Sequence, residues 1–198
     1  MSPHARRILL IQGHPDNSQH HLCHALASAY AEGAMAAGHE VCRIDVAALD
    51  FPLLRSKKDW EQGAVPAALL SAQEDILWAE HVVLFFPLWL GDMPALLKGF
   101  LEQVARPGFA VGKAGEQGLG AKLLKGRSAR VVVTMGMPAL VYRWYFRAHS
   151  VKSLERNILG FVGFAPVRET LVGMVESLGE IGVAQWLERM NKAGRKAD

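Results

Sequence analysis

Three stretches of the chain combine residue types that could hold an anionic, planar ligand. The first is Gly13-His14-Pro15-Asp16-Asn17-Ser18-Gln19-His20, between an apolar run at 8–11 and a helical pattern. A strand that runs into a helix N-terminus offers free N–H groups and a favourable dipole to a phosphate. His14 can add an imidazole N–H and Ser18 a hydroxyl; Ser18 can equally cap the helix, or do both. The stretch is neither G-x-G-x-x-G nor a P-loop. The second stretch, Phe86-Pro87-Leu88-Trp89-Leu90-Gly91-Asp92-Met93-Pro94, sets apolar and aromatic residues between two prolines. It reads either as a stiff ledge for a flat heteroaromatic ring, served by backbone amides, or as a corner packed on its own sheet. The third, Thr134-Met135-Gly136-Met137-Pro138, offers a hydroxyl, a glycine that permits close approach, and unhindered amides.

Other groupings carry less chemistry. His20, His21, Cys23 and His24 sit close in sequence, but no acidic partner or H-E-x-x-H accompanies them, so no metal site is expected. Ser177 lies in Glu-Ser-Leu-Gly rather than in a G-x-S-x-G elbow. Trp60, Trp78, Trp144 and Trp186 read as core or interface anchors.

The elements that must position these stretches follow from periodicity. The apolar runs at 8–11, 82–86 and 131–134 do not alternate, which suits parallel strands covered on both faces. Residues 40–45 alternate, as an outer strand does, and a last strand is expected within 167–172. Helical spacing marks 22–30, with Ser18 as N-cap and Gly38 as the stop. It marks 66–79, with Leu69, Leu70, Ile76 and Leu77 inward, and the helix after Pro94 that carries Leu97, Phe100, Leu101 and Val104. Further helices are expected at 141–159 and 183–193. Strand and helix alternate throughout, which predicts an α/β fold: a doubly wound, five-stranded parallel sheet with helices on both faces. Ligands then bind beyond the carboxyl ends of the strands, where all three stretches fall. Residues 107–126 hold six glycines and read as a long loop or irregular hairpin.

The 198 residues are expected to form one domain, at 1–198, without internal repeat or linker. Hydrophobic residues at 51% and charged ones at 21% exclude general disorder. Two cysteines, Cys23 and Cys42, form no disulfide framework and suit a reducing compartment. No apolar stretch approaches the roughly 20 residues of a membrane span, so the chain is expected to be cytoplasmic, without membrane insertion. The net charge of +3, with basic residues concentrated at 113–156 and 189–196, marks a solvated face or a patch for an anionic partner. No nucleic-acid reader motif accompanies it.

The His14-Pro15 loop, the string Phe86-Pro87-Leu88 followed by Pro94-Ala95-Leu96-Leu97-Lys98-Gly99-Phe100-Leu101-Glu102-Gln103-Val104, Phe109-Ala110 and the Thr134/Gly136 loop form one pattern. From about Arg7 to about Val175 the chain resembles the NAD(P)H:quinone oxidoreductase family of flavodoxin-like flavoproteins, which includes ancillary flavoproteins of bacterial potassium-efflux systems. The resemblance implies a flavin, FMN or FAD, with NAD(P)H and quinone-like molecules as substrates and two-electron hydride transfer between them. It implies that His14, Ser18, Gln19 and His20 meet the ribityl phosphate. Pro87, Leu88, Trp89, Leu90 and Gly91 would line the isoalloxazine ring, Thr134, Met135, Gly136 and Met137 its far side, and Tyr142 the substrate face. A homodimer is implied as well, and the efflux relatives imply an alternative: a flavin-binding regulatory subunit of a membrane transport system with little turnover. Trp89-Leu90-Gly91 stand where the family has Gln-Trp-Phe, Met135 and Met137 replace a threonine and a glycine, and Ala148, next to His149, replaces the histidine that accompanies the tyrosine.

Overall fold

The chain's structure, a computed structural model, describes residues 5–113 and 121–198. The apolar runs become β1 (Arg7–Gln12), β3 (His81–Pro87) and β4 (Ser128–Thr134), and the two outer strands are β2 (Glu40–Asp45) and β5 (Val167–Val172). They pair in parallel in the order β2-β1-β3-β4-β5. Continuous apolar sequence follows from burial on both sides. Leu9, Ile11, Val82, Leu84, Phe86, Val131 and Val133 pack on one face. Ile8, Leu10, Val83, Phe85 and Val132 pack on the other.

Two helices cover the second face, α1 (Leu22–Ala36) and α8 (Gly179–Lys196). They lie so close that a Cβ on Gly33 would fall 2.0 Å from the Asn191 carbonyl oxygen, and one on Gly194 2.0 Å from that of Tyr30. The first face is covered by α3 (Leu70–Trp78), α4 (Ala95–Val104) and the helical stretch built from α5 (Ala139–Trp144), α6 (His149–Ser153) and α7 (Gly160–Val162). The short α2 (Lys57–Gln62) buries none of its residues, so it left no apolar period to read.

Three local expectations need correction. Ser18 does not cap α1; its N–H and hydroxyl both bond the Asp16 carboxylate, and the helix starts three residues later with His21 as N-cap. Gly38 does end the turn after α1, with φ of 86°. Leu70 and Leu77 are 50% and 49% exposed, because Leu69 and Ile76 take the core-facing positions and each neighbour is rotated away. The 141–159 segment is broken after Trp144, where Arg147 and Ala148 take left-handed backbone (φ 53° and 48°), and resumes as α6, a π-helical turn at Leu154–Leu159, and α7. Residues 114–120 of the glycine-rich stretch lie outside the described residues. Among the described residues no helix is long and apolar enough to cross a membrane.

Candidate functional site

Register brings the three loops together. Pro87 is paired with Thr134 and Gln12 with Phe85, so the carboxyl ends of β1, β3 and β4 lie side by side. The Gly13 N–H extends the ladder onto the Phe85 carbonyl at 2.7 Å. Strand order reverses at β1 and β3, the place where open parallel sheets bind ligands. A cavity of about 470 Å³ opens there. Its walls are His14, Asp16, His21, Leu22 and Cys23 from the first loop and helix start, Pro87 to Trp89 from the second, Thr134 to Gly136 from the third, and Val175 and Glu176 from beyond β5. A groove of about 500 Å³ between Trp60, Leu101, Val111 and Phe161 is comparable in size. It lies away from the strand ends and brings no buried polar group to bear, so chemistry assigns the site to the first cavity.

The first loop already binds an anion. The Asp16 carboxylate accepts from Ser18 N–H (2.9 Å), the Ser18 hydroxyl (2.6 Å), Gln19 Nε2 (3.1 Å) and His21 Nε2 (2.9 Å). These bonds, the Ser18 hydroxyl first and His21 next, hold the Asp16 carboxyl well below the usual carboxylate range. Three imidazoles back the loop: His14 stacks on His21 at 3.9 Å, and His24 lies 5.2 Å from His14. Burial, then the neighbouring histidines, lower the pKa values of His14 and His24. The His24 Nε2 atom is buried and without a partner among the described residues. Gln12 ties this loop to α1, accepting from the His14 N–H and donating to the Cys23 carbonyl. Burial pushes the Cys23 thiol up to about 12, so it is no nucleophile. Among the described residues no three His, Cys, Asp or Glu side chains are grouped to hold a metal ion.

The second loop closes as a tight hairpin. Trp89 and Asp92 exchange both backbone bonds (2.8 and 3.0 Å), and Leu90 and Gly91 between them have φ of 49° and 82°. The Leu88 N–H is bound to the Thr134 carbonyl and the Met135 N–H to that of Val172, both at 2.8 Å. The ledge therefore does not present every amide expected of it: those of Leu88, Trp89 and Met135 are used internally, while those of Gly136 and Met137 make no backbone bond to the described residues.

Of the residues singled out in the sequence, His14, Pro87, Leu88, Trp89, Thr134, Met135 and Gly136 line the cavity. Ser18, Gln19 and His20 are exposed beside it; Leu90 and Gly91 form the hairpin tip, and Met137 lies one residue past the wall. Tyr142 is not among the residues that line the cavity. It is 2% exposed and faces the core, where its hydroxyl accepts the Val151 N–H at 3.4 Å, because the left-handed turn at 147–148 folds α6 back over it. The sequence reading missed Asp16, His21, Val175 and Glu176. Asp16 and His21 flanked residues already chosen, but Val175 and Glu176 join only through the β4–β5 pairing, and no local pattern marks them.

Comparison with known proteins identifies the fold. A family model described as having a flavodoxin-like fold matches residues 6–193. An uncharacterized NAD(P)H oxidoreductase of Haemophilus influenzae is 26% identical over 176 residues, covering 87% of this chain and 86% of that protein. The glutathione-regulated potassium-efflux system ancillary protein KefG of Escherichia coli is 40% identical over 74 residues, 36% of this chain and 37% of its own length. Among solved structures, the NAD(P)H:quinone oxidoreductase of Methanothermobacter marburgensis is 23% identical and superposes with a TM-score of 0.79 over 96% of both chains. An FMN-dependent NADH-azoreductase of Bacillus anthracis, in complex with FMN, is 19% identical with a TM-score of 0.72, over 98% of this chain and 100% of that one.

Proposed function

The chain belongs to the Flavodoxin_2 family, which has the flavodoxin-like fold, and from that membership we propose that it is a flavin-dependent NAD(P)H oxidoreductase, an NAD(P)H dehydrogenase acting on quinone-type acceptors. The observation that carries this reading is the 470 Å³ cavity where an anion-binding loop meets an apolar ledge at the switch point of the sheet. The residues suit a flavin: the 13–21 loop gathers four donors on a negative charge, His24 keeps a buried nitrogen unmet among the described residues, and Gly136 presents backbone without a Cβ, with the Glu176 carboxylate 3.7 Å from where one would stand. When bound, the flavin supplies two-electron transfer between a nicotinamide and a quinone. Everything else falls to the protein. His14, Ser18, Gln19 and His20 hold the phosphate end, Pro87 to Gly91 bear the ring, and Thr134 to Met137 close its far edge. The spare N–H groups of Gly136 and Met137 stabilise negative charge at that edge, as preorganised donors do. FMN is the flavin proposed, since the cavity is at the smaller end of the roughly 300–1,000 Å³ range of ligand sites and a relative of the same fold is complexed with FMN.

We take residues 1–198 to act as one unit and two copies to associate. Trp144 and Tyr145, 77% and 79% exposed, leave an apolar aromatic face in water. Light scattering should give twice the 21.7 kDa of one chain; a monomer at micromolar concentration removes this part of the reading.

The decisive experiment adds FMN, then FAD, to the purified chain. FMN at 100 times its dissociation constant should stabilise it by roughly 2.7 kcal/mol. The visible flavin bands should bleach with NAD(P)H and recover with a soluble quinone. No thermal shift with either flavin overturns the proposal, and bleaching without quinone turnover restricts the chain to cofactor binding.

A further inference from the structure

A second cluster of side chains lies at the opposite, amino-terminal ends of the strands, about 20 Å from the cavity above across the seven residues of β3 and β4. A cavity of about 200 Å³ opens there between Arg6, His81, Ser128, Arg168 and Asp198. Two guanidinium groups meet the Asp198 carboxylate, and a third, that of Arg6, lines the same cavity. Arg168 pairs with the Asp198 carboxylate. Arg130 approaches it at 3.5 Å and donates to the Asp198 main-chain oxygen at 2.6 Å. Arg6 donates to the Ala197 carbonyl and the Ser128 hydroxyl, each at 3.0 Å. Among the described residues Asp198 is the one acid lining this cavity.

His81 supplies an independent observation. It is 2% exposed, and its ring lines the same cavity. Its Nδ1 lies 2.8 Å from the Ser128 hydroxyl, while its Nε2 is buried with no partner among the described residues. Where the Ser128 hydroxyl donates to Nδ1, the imidazole hydrogen sits on Nε2. Burial, then Arg6, Arg130 and Arg168, lower the His81 pKa to about 3, so the ring stays neutral. In that tautomer a buried N–H donor with no acceptor among the described residues stands beside the guanidinium groups.

We propose that this cavity is a second binding site, for a tetrahedral oxyanion of the phosphate class, held by Arg6, Arg168 and the His81 N–H, with the Asp198 carboxylate as its internal competitor. Guanidinium forks match phosphate oxygens in pairs, and the volume suits a phosphate group rather than a whole nucleotide. The inference shares no residue with the flavin reading and stands whether or not that reading does.

The test is calorimetric titration of the whole chain with inorganic phosphate, and in parallel with glycerol 3-phosphate, in chloride-matched buffer. Binding should saturate, tighten about tenfold in Asp198→Asn, and weaken at least about tenfold in Arg168→Gln. Arg168 is about half exposed, so the variant is expected to fold, and circular dichroism checks it; Arg6→Gln serves if it does not. Phosphate alone binding identifies the free ion as ligand, and both binding identifies a monoester headgroup; either supports the site. Because the 13–21 loop also gathers anion donors, binding that survives Arg168→Gln unchanged overturns the proposal. So does the absence of saturable binding in both the native chain and Asp198→Asn, or a His81 imidazole ¹⁵N resonance that phosphate leaves unmoved.

Discussion

At the scale of single residues, Asp16 holds the donors that a flavin phosphate would need. Its carboxylate gathers Ser18, Gln19 and His21, so a phosphate must displace it and meets a like charge in doing so. Asp16→Asn should lower the FMN dissociation constant on the order of tenfold, the effect of removing one charge near a phosphate at intermediate dielectric. Fluorescence quenching on titration reads this directly, and weaker binding would show instead that Asp16 organises the loop. Tyr142 is the other informative residue. With its ring buried and its hydroxyl on Val151, Tyr142→Phe should cost about 1 kcal/mol in urea denaturation and leave flavin reoxidation by quinone unchanged. A rate lower on the order of 10²-fold in stopped flow would bring the hydroxyl back to the reacting face. Neither residue's surroundings were legible from its neighbours in sequence. Asp16 stood in the quoted loop with no role assigned, and Tyr142 was placed by resemblance, whereas its burial depends on how α6 returns over it.

At the scale of elements, the packing of α1 on α8 rests on two glycines with no room for a side chain. Gly194→Ala would drive a methyl group into the Tyr30 carbonyl, and overpacking of that kind should destabilise the fold by about 3 kcal/mol, read from the denaturant midpoint. Unchanged stability would mean that α8 can slide along α1. The bounds of β2 and β5 and the start of α4 at Pro94 were readable because burial period and proline are local signals. The break after Trp144 was not, since apolar residues continue through it and only the left-handed pair Arg147-Ala148 turns the chain.

At the scale of the whole molecule, buried histidines couple stability to pH. The His81 pKa falls from an ordinary value near 6.5 to about 3 on folding, chiefly through burial. Between those values the unfolded chain carries a proton that the folded chain lacks, so stability is complete above about pH 6.5 and declines as acid is added. The slope approaches about 1.4 kcal/mol per pH unit for such a group. His14 and His24, lowered in the same direction, add to it. Urea midpoints in phosphate-free buffer should therefore fall between pH 7.5 and 5, and His81→Gln should flatten the profile. A profile that is equally steep in the variant would assign the dependence to the His14 cluster.

What the sequence by itself determined is the layered fold and the rim of the site. Continuous apolar strands, helical spacing between them and a loop after each strand are properties of neighbouring residues, and the switch-point rule turns them into a location. Only the tertiary structure decided which groups share that location and what they do to one another. Glu176 reaches the cavity through the β4–β5 register, the Leu88 and Met135 amides are consumed by neighbouring strands, and Asp198 meets Arg130 and Arg168, and shares a cavity with Arg6, from far along the chain. Hydrogen bonding and charge act through space over a few ångströms, so contacts between residues far apart in sequence leave no period or motif from which they could have been read.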